Sequence, residues 1–206
     1  MRTRQRNLTD NKDLDVFPSF TDLMSNAFMI ISFLLLIALF QSFELNKRLQ
    51  SATPIVIDEK SSNFKFKSGS AELTPQLKVY IKQEILPQIE RIIDEREIDF
   101  IQVIGHTDGQ VLGGIGNLDQ NLEQVSQNQL QVTELRAGSN ADLALMRALA
   151  VVQELQSQQE FQDIQFRAYS GAQLYLPSGE LANVNRDEDE TRRRIEIRFI
   201  PPGESN

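Results

Sequence analysis

The longest uncharged run in the chain extends from Leu23 to Phe43. As a helix these 21 residues reach about 31 Å, close to the hydrocarbon thickness of a bilayer. After it the pattern changes from uniformly apolar to periodic. Ile55-Val56-Ile57 is a short β-prone run in a polar connector, and Phe64-Lys65-Phe66 alternates as a strand does. Leu77, Ile81, Ile85, Ile89 and Ile92 recur at helical spacing behind Thr74-Pro75, an N-cap and first-turn pair, with Pro87 set to bend the helix. Ile98 to Ile104 predicts a strand, Asn140 to about Ser157 an amphipathic helix, and Ile164 to Ala168 and Ile195 to Ile200 two further strands. The order β-α-β-α-β-β predicts an α+β domain with helices on one face of a small sheet.

The apolar segment is two-sided. At about 100° per residue, Asp22, Ser25, Asn26, Met29 and Ser32 share one face, while Leu23, Met24, Ala27, Phe28, Ile30 and Ile31 cover the other. Polar groups in hydrocarbon are costly, so such a stripe faces other helices or a water-filled path. Asp22 also has a plainer reading, because Ser19-Phe20-Thr21-Asp22 has the form of a capping box and could merely satisfy a first helical turn. Spacing alone does not separate the two. The run is longer than a signal-peptide core and ends without a small-x-small cleavage site, so it is expected to be retained. Arg2, Arg4, Arg6 and Lys12 precede it while Lys47 and Arg48 follow, which leans toward a cytoplasmic N-terminus. The expected organisation is a tail over 1–18, a membrane helix over 19–43, a connector over 44–62, a soluble domain over 63–201 and a short tail over 202–206.

Composition removes several classes of chemistry. Net charge is −8 with an isoelectric point near 4.8, and basic residues are scattered, so a nucleic-acid surface has little support. With no cysteine and one histidine, His106, thiolate and histidine-rich metal sites are not expected. No Ser or Cys partner pattern surrounds His106, so it reads as a satisfied structural residue and no covalent catalytic site is expected.

Several blocks carry a family resemblance. Ser19-Phe20-Thr21-Asp22-Leu23-Met24-Ser25 resembles the start of the single helix of MotB-type subunits, with their S-[FY]-x-D-[LFM]-M pattern. Phe66-Lys67-Ser68-Gly69-Ser70-Ala71-Glu72-Leu73, Ile104-Gly105-His106-Thr107-Asp108 and Asn140 to Ala148 resemble the F-x-x-G-S-A-x-L, I-x-G-H-T-D and N-x-x-L-[SA]-x-x-R-A blocks of OmpA-like domains. Arg193-Arg194-Ile195-Glu196-Ile197 is similar to the closing R-R-[VI]-E-I, with Arg192 where the family usually has Asn.

The resemblance implies a function and a site. Asp22 becomes the ion-binding carboxylate, with Ser25, Asn26 and Ser32 on the ion path for H⁺ or Na⁺, and no cofactor. Asp108 and Arg147 become the pair that grips the diaminopimelate of peptidoglycan, beside Thr107, Asn140 and Leu143. That amino acid presents an ammonium to a carboxylate and a carboxylate to a guanidinium fork. On residue type alone, the favoured readings are Asp108 as a turn former before Gly109 and Arg147 as a solvated helix position. The partners implied are a second copy of the chain and a pentameric ring of MotA/TolQ/ExbB-like subunits. Such motors include flagellar stators and the MotB-like member of Zorya phage-defence systems, whose MotB-like subunit sits in the inner membrane with its domain in the periplasm. A passive membrane-to-wall anchor is the competing function. One departure is the stretch over 109–139, about two dozen residues longer than the family's loop. It has glycines at 113, 114 and 116 and many glutamines from 120 to 131. It reads as a flexible excursion, a helix around Leu118, Leu122 and Val125, or a contact with a second copy.

Overall fold

A computed structural model describes residues 16–50, 53–59, 65–161 and 163–203. It divides into two units, 1–50 and 51–206. The first is helix α1, Val16–Gln50. Within it, Phe17–Leu45 is long and apolar enough to cross a membrane, its most apolar 18-residue stretch having a mean hydropathy of 2.4. The helix therefore starts before Ser19 and runs on into the segment read as connector. The tail with Arg2, Arg4, Arg6 and Lys12 lies outside the described residues.

The second unit is an α+β domain built on a four-stranded sheet. Its strands are β1 (Ile55–Asp58), β2 (Phe100–His106), β3 (Phe166–Ala172) and β4 (Arg194–Ile200), in the order β1-β4-β2-β3. β4 is antiparallel to both neighbours, and β2 runs parallel to β3. The first strand is thus Ile55–Asp58, inside the connector, while Lys65 and Phe66 belong to no strand and Phe64 lies outside the described residues. Ile57 sits opposite Ile195 and joins the core, whereas Phe66 packs on a guanidinium, so the longer β-branched run has the better claim on the sheet edge.

Helices pack on the sheet and share one core with it. α2 (Pro75–Tyr80) begins as the sequence predicts, with Thr74 Oγ1 accepting from the Leu77 N–H at 3.3 Å. A π turn over Ile81–Ile85 then leads into α3 (Leu86–Glu95), and this wide turn falls just before Pro87, whose ring cannot donate to the preceding turn. Ile81, Ile85 and Ile89 keep their four-residue spacing through it and are fully buried. α5 (Asn140–Gln156) connects β2 to β3 and lies on both. Its approach is close at Gly105, where a Cβ would fall 1.9 Å from the Ala144 carbonyl oxygen, so the glycine of the Gly105-His106-Thr107-Asp108 block is a packing requirement.

The long stretch after β2 folds. α4 (Leu118–Ser126) and a 3₁₀ turn over Val132–Glu134 place Leu118, Val125, Val132 and Leu135 in the hydrophobic core. Gln153 on α5 fastens this excursion, donating to the Val125 and Leu130 carbonyls at 3.1 and 2.9 Å and accepting from the Val132 N–H at 3.2 Å. Asn117 closes its base, accepting from Arg136 N and donating to Glu134 O.

Candidate functional site

In α1 the capping reading of Asp22 does not hold. Among the described residues the helix already includes Val16, three residues before Ser19, and Thr21 Oγ1 donates to the Phe17 carbonyl at 2.8 Å from inside it. Asp22 thus stands inside the helix, directly before the uncharged run that opens at Leu23. Asp22, Ser25 and Asn26 are exposed and Ser32 is half-buried on a helix whose large apolar side chains are also exposed.

In the soluble unit, the end of β2, the start of α5 and the segment before β4 bring the other candidates together. Asn140 donates through Nδ2 to the Gln110 carbonyl at 2.8 Å and reaches that of Asp108 at 3.5 Å, so it holds the loop carrying the acid. Ser139 caps α5 by accepting from the Asp142 N–H. Thr107 is buried with its backbone N–H bonded to Ala172 O, while its Oγ1 has no hydrogen-bond partner. Leu143 is a buried packing residue. Thr107, Asn140 and Leu143 therefore shape the site from beneath.

Asp108 does not stand free beside Arg147. It is 5% exposed, and its Oδ2 accepts from Arg193 Nη1 at 2.8 Å and from the Asp189 N–H at 3.2 Å. Arg193 also donates to Glu59 Oε2 at 2.6 Å and to Glu188 Oε1 at 3.1 Å. Burial works against the charge of Arg193, but Glu59, Asp108 and Glu188 outweigh it and push its pKa up.

Arg147 is the odd member. It is 3% exposed, so the solvated-helix reading is overturned. Its Nε donates to the Ser70 carbonyl at 3.0 Å, and its guanidinium lies 4.6 Å from the centre of the Phe66 ring. Among the described residues no carboxylate comes within ion-pair distance of it; the acids that touch Arg193 leave Arg147 without a direct partner. Burial lowers its pKa to about 10, with Glu59 and Asp108 opposing from a distance and Arg193 adding to the fall. The space enclosed by Phe66, Leu77, His106, Arg147 and Arg193 is about 10 Å³, room for about one water.

His106 is structural but not satisfied, since among the described residues neither ring nitrogen finds a hydrogen-bond partner. The ring fills the place that a Cβ on Gly171 would occupy, 2.4 Å away, at a bulge where Ala172 takes a φ of 47°. Its Nε2 lies 3.2 Å from Glu196 Oε1. With Arg198 and Arg194, His106 holds the Glu196 carboxyl at about 2 against its burial. The His106 contact is not aligned as a hydrogen bond, so the bonds from Arg194 and Arg198, at 2.8 and 2.6 Å, are its firmer part.

Sequence reasoning missed Arg193, Glu59, Phe66 and Ser70. Arg193 stood in a recognised block without an assigned role, and Glu59 follows a strand placed in the connector. Among the described residues no group of three or more His, Cys, Asp or Glu is arranged to hold a metal ion.

No protein-family model and no curated protein matches the chain. Among solved structures it is similar to the periplasmic domain of Helicobacter pylori MotB, at 19% identity and a TM-score of 0.42, over 74% of this chain and 84% of that one. A longer periplasmic fragment of MotB gives 19% and 0.42, over 74% of this chain and 65% of the other. The chain is also similar to the cell wall anchor of the T6SS from Pseudomonas aeruginosa, at 18% identity and a TM-score of 0.39, over 76% and 92% of the two chains.

Proposed function

We propose that the chain is a peptidoglycan-anchored inner-membrane subunit of an ion-driven rotary motor. The observation that carries the wall-binding half is Arg147, a buried guanidinium that among the described residues has no carboxylate within ion-pair distance. Such a cation is costly to leave uncompensated, and an arriving ligand carboxylate supplies the missing fork of hydrogen bonds. Asp108, Glu59 and Glu188 gather negative charge around Arg193, the side on which a ligand ammonium is received. A zwitterionic side chain such as diaminopimelate fits both halves, through Asp108 and Arg147, and no covalent chemistry is required.

Asp22, inside the apolar span and beyond the first turn, supports the ion-driven half. A carboxylate there has a cost that ion or proton binding relieves, and alternation between the two states couples flux to movement. In this reading the N-terminus is cytoplasmic, the soluble unit is periplasmic, and two copies sit within a MotA/TolQ-like ring. Flagellar, Zorya-type and other outputs share this mechanism.

The test is Asp22→Asn in cells producing both the chain and its ring subunit. Asn keeps the size of Asp but does not titrate, so output or ion flux is expected to vanish with insertion and membrane abundance unchanged. Near-normal output contradicts the motor and leaves the passive anchor standing.

A further inference from the structure

A second opening in the soluble unit has no role so far. It is a cleft of about 440 Å³ between the C-terminal half of α5, the segment Ala71–Leu73, and the folded excursion near Asn128–Thr133. We propose that this cleft is a subsite for the glycan strand, a neutral chain of N-acetylated amino sugars, and that it continues from the peptide site at Arg147. The proposal rests on the wall-binding function above.

The lining has the chemistry for such a ligand. Amides and hydroxyls dominate its polar part, and both donate and accept, as sugar hydroxyls and acetamido groups require. Leu73, Val132 and Ala150 contribute apolar surface, suited to an acetamido methyl or the face of a sugar ring. The charged groups at the cleft are engaged with one another, Glu154 lying 3.5 Å from both Lys78 and Lys82 and Glu72 lying 3.6 Å from Lys67, which leaves the amides and hydroxyls to meet an uncharged ligand.

The walls are fixed and some of the polar groups are free. Asn128, in the left-handed region at φ 58°, donates through Nδ2 to Gln156 Oε1 at 3.0 Å and braces the excursion against α5. Gln131 and Thr133 are exposed, and among the described residues their side chains make no hydrogen bond. They are available to a ligand.

The placement links the cleft to the peptide site by two short paths. Ser70 accepts from Arg147, and the next residue, Ala71, lines the cleft. Along α5, Ala150 lies one turn beyond Arg147, and Ser157 lies ten residues on, about 15 Å. Stem peptide and glycan are covalently joined, so a peptide held at Arg147 delivers its glycan to this neighbourhood. The excursion that the family lacks then extends the binding surface.

The test uses the full chain in a detergent without a sugar headgroup. Titration calorimetry measures binding of an N-acetylglucosamine tetramer and, separately, of a diaminopimelate-containing tripeptide. Wild type is expected to bind the tetramer weakly, and Gln131→Ala combined with Thr133→Ala to lose about fivefold or more of that affinity, roughly the loss of one to two net hydrogen bonds. Unchanged tripeptide binding by the double variant shows that its fold is intact, and each single variant is expected to give a smaller loss. No tetramer binding by wild type, or binding undiminished in the double variant, overturns the subsite. The underlying wall-binding function fails separately, if Arg147→Met leaves tripeptide binding unchanged.

Discussion

Arg193 Nη1 donates to Asp108 Oδ2 at 2.8 Å, so the carboxylate that a ligand ammonium would seek is already engaged by the chain's own guanidinium. Among the described residues the other oxygen, Oδ1, accepts only from the Gln110 N–H at 3.4 Å. An arriving ammonium therefore adds at Oδ1 or competes with Arg193, and affinity at Asp108 is a difference between two ion pairs.

Arg193 also neutralises Glu59, so its removal leaves two largely buried carboxylates without their cation. Arg193→Met is expected to destabilise the soluble unit by about 3 kcal/mol. Urea unfolding followed by circular dichroism measures this. A loss below about 0.5 kcal/mol would place Arg193 among ordinary surface ion pairs.

The excursion after β2 is structural as well as exposed. Deleting 117–136 removes Leu118, Val125, Val132 and Leu135 from the core, and the remaining domain is expected to unfold or to melt well below wild type. Gln153→Ala is the gentler probe. It leaves two carbonyls and one N–H unpaired beneath the excursion, at a cost of about 2 kcal/mol. A deletion variant with unchanged melting temperature contradicts this packing.

Much of this was legible in the chain, for physical reasons that differ by element. Ile81, Ile85 and Ile89 announced their helix because burial on one face imposes the four-residue spacing. Thr74 is a cap whose side chain acts locally. Asp108 and Arg147 were found through motif resemblance, and the fold brings them to one neighbourhood. What was not legible depends on contacts distant in sequence. Arg193 meets Glu59 and Asp108 across 134 and 85 residues, and no local pattern records that. Likewise Phe66 showed an alternation that suits a strand but is spent on covering Arg147. In α1, Ser19 to Asp22 spells a capping box, yet the helix continues through it to Val16.

Glu196 makes stability depend on pH in a defined direction. Its carboxyl is held at about 2 in the folded chain against about 4.3 when unfolded, so its contribution is present above pH 4.3 and is lost as pH falls toward 2. Denaturant midpoints between pH 5 and 2 are expected to fall less steeply in Glu196→Gln than in wild type. Parallel curves for the two proteins contradict the assignment.

The most direct measurement of wall binding is co-sedimentation of the full chain with purified peptidoglycan, comparing wild type with Arg147→Met. Met keeps much of the length but cannot receive a carboxylate, and among the described residues the substitution breaks no salt bridge, removing a buried cation and its hydrogen bond to the Ser70 carbonyl. Arg147→Met is therefore expected to stay folded, with an unfolding midpoint at or above that of wild type, while the fraction sedimenting with the wall falls about tenfold or more. Undiminished sedimentation of a folded Arg147→Met chain would contradict the account.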